Sequence, residues 1–204
     1  LGSGVMGSGI AAHLANVGIP VLMLDIVPKQ LTADEEKQGF TLEDERVRNR
    51  LVANSKQALL KQKPSPITSR SSLDLIDIGN FEDDMEKLRE ADWIIEVGTK
   101  KLEIKKQVLA QVEKHRKPGS VVISNTSGIS VEAMIEDCSD DMKKHFLGTH
   151  FFNPPRYLKL LEVIPTKHTD EAVLSFMKEF GENILGKGVV EAKDTPNFIA
   201  NRIG

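Results

Sequence analysis

The chain has 204 residues, with 27 Lys and Arg against 30 Asp and Glu and a formal net charge of -3. That length holds one large domain, or one domain with an appended excursion. The near balance of charge, without a long basic block, implies neither nucleic acid nor an anionic membrane as partner. The single cysteine, Cys138, excludes an internal disulfide, no apolar run is long enough to span a bilayer, and none of these residues reads as a signal peptide.

Gly2-Ser3-Gly4-Val5-Met6-Gly7 opens the chain as G-x-G-x-x-G, followed by Ile10, Leu14 and Val17 at helical spacing and by Gly18 as a helix stop. Residues 19–25 then read as a buried strand ending in an acid, Asp25. Loop, helix, strand and acid in this order form a dinucleotide fingerprint. The first glycine permits the tight turn, the second lets a pyrophosphate approach the backbone, and the third lets helix and strand pack closely. Asp25 is placed to accept hydrogen bonds from ribose hydroxyls. Ile26-Val27-Pro28 follow it, with no arginine to hold a 2′-phosphate, which favours NAD over NADP. Only Leu1 precedes the loop, so the strand that normally leads into it is expected to have been trimmed away.

Residues 30–63 are charged and periodic and read as one or two exposed helices, closed by Lys63-Pro64-Ser65-Pro66. A short strand is expected within 67–78, a helix over 83–89 and a strand over 91–97. Residues 102–115 have helical periodicity, stopped by Pro118-Gly119. Strand is expected over 120–124, and a helix begins at 131–134. Strands at 146–150 and 159–164 flank an Asn-Pro-Pro turn. A helix over 170–185 and a strand over 188–192 follow. The last segment reads as a helix begun at Asp194-Thr195-Pro196, with proline in its first turn. Strand and helix alternate, so the expected fold class is α/β, a doubly wound, mostly parallel sheet with a helical excursion after the second strand.

Ligands of such sheets bind beyond the carboxyl ends of the strands, where the glycine loop, Ser124-Asn125-Thr126-Ser127 and His150 all fall. His150 precedes the turn, and Glu162 interrupts the apolar run Leu160-Leu161-Glu162-Val163-Ile164. A carboxylate in a buried strand needs a partner, and the imidazole across the turn supplies one. Taken alone, the two residues fit a structural ion pair, an edge strand with Glu162 turned to solvent, or a general base with its orienting acid. Ser127 lacks a G-x-S-x-G elbow and suits a hydroxyl that hydrogen-bonds a ligand better than it suits a nucleophile. His13, His115, His145 and His168 are expected in surface or capping roles. No metal-ligand spacing is present. Lys56, Lys61 and Lys63 read as a solvated face, and Cys138 as a bystander.

Across these segments the chain closely resembles the NAD-binding domain of the L-3-hydroxyacyl-CoA dehydrogenase family. The resemblance runs through Gly2–Gly7, Ser124–Ser127, Gly148-Thr149-His150-Phe151-Phe152-Asn153-Pro154, Leu161-Glu162-Val163-Ile164 and Asp194-Thr195-Pro196-Asn197-Phe198-Ile199-Ala200-Asn201-Arg202. It implies a Rossmann-type fold over residues 1–193. Residues 194–204 would begin a linker helix to a C-terminal helical domain absent from the chain. It implies His150 as the base for a 3-hydroxyl proton, Glu162 as its orienting acid, and Ser127 and Asn201 as groups that position the substrate oxygen or the histidine. Cofactor contacts would come from Gly2, Ser3, Gly4, Val5, Met6, Gly7, Asp25, Lys105, Ser127 and Asn153. The implied cofactor is NAD, with no metal, and the implied substrate an acyl-CoA in cytoplasmic fatty-acid β-oxidation. The whole protein would be a homodimer or part of a bacterial multifunctional β-oxidation enzyme. Two departures stand out: Lys100-Lys101-Leu102 where the family has Glu-Asn-Leu, and Asn197 where many members have glycine. Asparagine tolerates left-handed backbone, so little damage is expected there. The competing readings are a β-hydroxyacid dehydrogenase of the 3-hydroxyisobutyrate or 6-phosphogluconate type, and a NAD-binding fragment inactive in isolation.

Overall fold

In the computed structural model, which describes residues 1–203, the chain forms two units that divide between Met85 and Glu86. The first unit starts with the glycine loop and helix α1, Val5–Asn16. Strand β1, Val21–Asp25, lies parallel to β2, Ile76–Asn80, with Val21 opposite Ile76 and Asp25 opposite Asn80. Ala11, Ala12 and Ala15 present a small-residue face that packs with Met23, Val52, Leu59 and Ile76 in a closed apolar core. Gly18, at φ 85°, ends the helix as the sequence indicates.

The excursion holds three short helices rather than one or two: α2 (Ala33–Lys37), α3 (Glu45–Arg48) and α4 (Arg50–Ala58). Local caps cause the breaks. Thr32 and Glu35 form a reciprocal capping box at the start of α2, Gly39 turns at φ 76°, and the Asp44 side chain accepts from the Arg46 N–H to start α3. The strand expected within 67–78 begins only at Ile76. The residues before it are held by Asn16, whose side chain donates to the Pro66 carbonyl and accepts from the Thr68 N–H, both at 2.9 Å, and then form a 3-10 turn, Arg70–Leu75.

The second unit carries β3 (Trp93–Glu96), α5 (Leu102–His115), β4 (Val121–Asn125), α6 (Val131–Met134) and α7 (Asp140–Lys144). It continues with β5 (Phe146–Phe151), β6 (Leu160–Pro165), α8 (Glu171–Asn183), β7 (Gly188–Glu191) and α9 (Ala200–Ile203). The five strands lie in the order β3-β4-β5-β6-β7, and every pair is parallel except β5 with β6. The helix expected over 83–89 is a 3-10 turn, Met85–Glu90.

Two glycines set how closely helices approach this sheet. A Cβ on Gly148 of β5 would sit 2.5 Å from Val131 Cγ2 of α6. One on Gly181 of α8 would sit 2.7 Å from Val189 Cγ2 of β7. Such distances are well inside carbon–carbon contact, so only glycine lets these layers meet. All six residues of β5 are buried, which places it at the centre of the unit.

The chain after β7 departs from expectation. Residues 194–199 form turns, with Asn197 at φ 63° and Phe198 at φ 49°, and the helix starts only at Ala200. Two consecutive left-handed residues cannot continue an α-helix, so the Asp-Thr-Pro cue marks a turn and not a helix start. Among the described residues no helix is long and apolar enough to cross a membrane.

Candidate active site

In the first unit, the Gly2 N–H donates to the Leu24 carbonyl at 2.8 Å, which pins the glycine loop to the end of β1. Gly2 adopts φ 99°, and a Cβ at Gly4 would meet nothing within 4 Å. Gly4 is also the N-cap of α1 and brings no side-chain cap, so the first N–H groups of a twelve-residue helix face an open approach. That combination suits a pyrophosphate, which gains from the backbone donors and from the positive end of the helix dipole.

Asp25 closes the loop from the other side. Its Oδ2 accepts from the Ser3 N–H at 2.9 Å and from the Ser3 hydroxyl, and its Oδ1 accepts from the Ile26 N–H at 2.7 Å. A carboxylate has about four acceptor positions, so one remains for a ribose hydroxyl. The loop residues and Asp25 therefore fit a dinucleotide. The structure adds what the sequence did not reveal: Asp25 fixes the conformation of Ser3.

In the second unit, β5 and β6 run antiparallel with His150 directly opposite Glu162, so both side chains emerge on one face. His150 Nδ1 lies 3.4 Å from Glu162 Oε2, with His150 6 % and Glu162 0 % exposed. The other carboxylate oxygen, Oε1, accepts from the Ala200 N–H at 2.7 Å. Glu162 is thus buried with both oxygens engaged, and the edge-strand reading with Glu162 in solvent is excluded. The imidazole is flanked by Phe152, ring centroids 4.1 Å apart, and by Phe198 at 5.9 Å. Aromatic walls on the ring together with a carboxylate on Nδ1 leave Nε2 as the nitrogen free to take up a proton.

Ser127 is exposed on the loop after β4, and Asn201, exposed on α9, donates from its amide to the Ser127 carbonyl at 3.4 Å. The structure therefore brings Asn201 to Ser127, and its neighbour Ala200 to Glu162. Asn153 lies exposed in the turn after β5. That turn is held from below by Lys187, whose ammonium donates to the carbonyls of Pro155 and Leu158, the latter at 2.7 Å. Burial, aided by repulsion from Lys159, pushes the Lys187 ammonium down to about 8.

Lys105 is placed differently from its expected role at the cofactor. It is 2 % exposed, and its ammonium donates to Glu96 Oε2 at 2.7 Å, to the Ser124 hydroxyl at 3.3 Å and to the Asn125 carbonyl at 3.3 Å. All three donor positions of the ammonium are engaged by its own unit. Glu96 also accepts from Ser124 and from the Gly98 N–H, so the buried pair ties the carboxyl ends of β3 and β4 to the first turn of α5. Asn125 continues the network: its side-chain oxygen accepts from the Phe151 N–H at 2.9 Å, next to His150. Lys100 and Lys101, which replace the family's Glu-Asn, are both exposed.

The remaining histidines largely behave as expected. His115 and His145 approach carbonyls one turn back in their helices, those of Gln111 and Asp141. His13 differs, being 9 % exposed on α1. Lys56 is not a solvated charge either, since it donates to the Ile76 carbonyl at 2.7 Å. Burial pushes the Cys138 thiol up to about 11, which makes it a poor nucleophile. Among the described residues no cluster of His, Cys, Asp and Glu suits a metal.

Residues 1–195 match the family model described as 3-hydroxyacyl-CoA dehydrogenase, NAD binding domain. A Bacillus subtilis protein named "Probable 3-hydroxyacyl-CoA dehydrogenase" is 67% identical over the whole of this chain, which spans 26% of that protein's length. The "Fatty acid oxidation complex subunit alpha" of Acinetobacter baumannii is 29% identical over the whole chain, again 26% of its own length. Among solved structures, (S)-3-hydroxybutyryl-CoA dehydrogenase from Ralstonia eutropha superposes with a TM-score of 0.73 at 28% identity, covering 99% of this chain and 65% of that one. The fold is thus Rossmann-like α/β with a mostly parallel sheet, as the alternation of elements implied. The chain spans about a quarter of the length of the two sequence relatives.

Proposed function

The chain belongs to the 3-hydroxyacyl-CoA dehydrogenase family through its NAD-binding domain, and on that premise we propose that the whole protein oxidises an L-3-hydroxyacyl-CoA to the 3-oxoacyl-CoA. The observation that carries the proposal is the buried pair in β5 and β6: a histidine between aromatic rings, its Nδ1 facing a fully buried carboxylate. A carboxylate on Nδ1 selects the tautomer whose Nε2 is bare and stabilises the imidazolium once a proton arrives. His150 takes the proton from the 3-hydroxyl at Nε2, and Glu162 holds the ring in place throughout.

Ser127 and Asn201 are proposed to position the substrate oxygen or the imidazole, supported by the hydrogen bond that joins them. NAD, when bound, supplies the acceptor for the hydride that leaves C3. Its contacts are proposed at Gly2, Ser3, Gly4, Val5, Met6, Gly7 and Asp25 in the first unit and at Ser127 and Asn153 in the second, where Lys105 acts behind them by holding Glu96, Ser124 and Asn125. Membership of a multifunctional β-oxidation enzyme, or a homodimer, and a cytoplasmic setting belong to the same proposal. The likeness to a fatty acid oxidation complex subunit supports the former.

The test is His150→Gln in the whole protein, assayed by NADH formation from a 3-hydroxyacyl-CoA. Loss of a general base removes about 10²–10⁴ in rate, whereas NADH binding, followed by calorimetry on the same variant, stays within twofold. Near-normal turnover by His150→Gln refutes the assignment. Calorimetry on the isolated 204-residue chain separates cofactor binding from turnover.

A further inference from the structure

Asp194 stands where a helix start was expected, yet its carboxylate is turned onto the loop that follows β4. One oxygen accepts from the Val131 N–H at 2.9 Å. The other accepts from the Glu132 N–H at 3.0 Å and from the Ser130 hydroxyl at 2.9 Å. The two N–H groups are among the orphan donors of α6, and three bonds to one carboxylate make a stiff joint.

From that joint the chain passes through Asn197 and Phe198, both left-handed, a conformation that persists only where the flanking contacts impose it. It arrives with the Phe198 ring 3 % exposed and 5.9 Å from His150, and with the Ala200 N–H on Glu162. Residues 194–201 therefore form a strap tied to the loop after β4 at one end and to the buried carboxylate at the other.

We infer that Asp194 is a positioning residue: by fixing the strap it presents the Ala200 N–H to Glu162 and so aims the carboxylate at His150. The inference rests on the reading of His150 and Glu162 as base and orienting acid. Without the Ala200 N–H, one oxygen of a fully buried carboxylate loses its donor. The group then turns about its last torsion toward another, and the 3.4 Å contact with Nδ1 is the interaction given up. The strap thus acts on proton transfer and not on the glycine loop.

The experiment is Asp194→Asn in the whole protein, which keeps the shape of the side chain but turns an amide toward backbone donors. Three measurements are made: steady-state kinetics for kcat and KM with a 3-hydroxyacyl-CoA, calorimetry for the NADH dissociation constant, and NMR of the Ala200 amide and His150 imidazole after selective labelling. The expected result is a fall of about tenfold in kcat with KM and NADH affinity within twofold, and a shift of both resonances. A variant that melts lower but keeps kcat and the Ala200 resonance overturns the inference. Ala200→Pro serves as the second variant. It deletes the N–H itself at the first position of α9, where proline is tolerated, and identifies the Ala200 resonance by its disappearance. It must lower kcat to a similar degree, and unchanged kcat there also overturns the inference. Failure of the underlying reading looks different. His150→Gln would then keep turnover, while the Ala200 resonance would still move in Asp194→Asn.

Discussion

Replacing Gly148 by alanine puts a methyl group into the contact between β5 and α6. The new Cβ lies 2.5 Å from Val131 Cγ2, 3.2 Å from Val131 Cγ1 and 3.4 Å from Ile164 Cβ. Carbon atoms settle at about 3.5–4.0 Å, so roughly 1 Å of overlap with one methyl has to be relieved. Val131 is β-branched and stiff at χ1, and its helix start is fastened by Asp194, so neither rotation nor retreat is easy. Overpacking of this kind costs about 1–3 kcal/mol. Alanine gains about 0.5–1 kcal/mol over glycine within a strand, which leaves a net loss of about 1 kcal/mol. Val131→Ala alone removes two buried methyl groups, about 1.5 kcal/mol at ~0.8 kcal/mol each plus a cavity term. In the double variant the alanine methyl occupies the vacated space, so the two losses should not add, and a coupling of about 2 kcal/mol is expected. Urea unfolding at 25 °C, followed by the fluorescence of Trp93 in the same unit, measures all four corners of the cycle. Trp93 is the sole tryptophan of the chain and packs edge-on against Phe180, which makes it a local reporter. Additive losses, to within about 0.5 kcal/mol, would show that the close approach at Gly148 is not what fixes α6.

Two further outcomes follow from the site. Glu162→Gln keeps volume and can still accept from the Ala200 N–H, but it turns an amide donor toward Nδ1 and favours the tautomer with the proton on Nε2. We expect kcat for 3-hydroxyacyl-CoA oxidation to fall by about 10²-fold or more with KM little changed, and a variant within threefold of the parent would refute the tautomer argument. Lys187 gives a pH signature. Its folded value of about 8 lies below the ordinary 10.5, so the unfolded chain binds the proton more tightly and folding becomes more favourable as pH rises from 8 to 10.5. The gain is on the order of 3 kcal/mol from ~1.4 kcal/mol per pH unit, and Lys187→Met should abolish that part of the slope in denaturant titrations, whereas parallel pH profiles for the two proteins would contradict it.

How much of this was legible in the sequence depended on whether the signal was local. Helix α5 begins and ends where its periodicity and Pro118-Gly119 say, because both cues lie inside or beside the segment. The strands around the Asn-Pro-Pro turn fall within one residue of expectation, for the same reason. Asp194-Thr195-Pro196 was misread because an acid before a proline looks like a cap for its own helix. Its carboxylate caps α6 instead, about sixty positions back along the chain, and no periodicity reports that. Lys105 was invisible in the same way. The resemblance implies a cofactor contact for it, and only the fold places the buried Glu96 beside it. The His150–Glu162 pair was recognisable as a candidate, yet the role of Ala200 in satisfying the second carboxylate oxygen could not be, since it is supplied by a backbone N–H.

Strand β6 raises a problem of registration that its chemistry also answers. Leu161, Val163 and Ile164 are as buried as Glu162, so the strand is apolar on both faces and alternation alone gives little reason to prefer one alignment over its neighbours. A slide of one residue against β5 would exchange one aliphatic contact for another almost without penalty, except at Glu162. There the charge would lose the histidine and the Ala200 N–H together and be stranded among hydrocarbon, at a cost of several kcal/mol. The His150–Glu162 pair is thereby also the alignment mark of the unit, and the chain cannot fold into a shifted sheet without sacrificing the one arrangement in which that carboxylate can be buried.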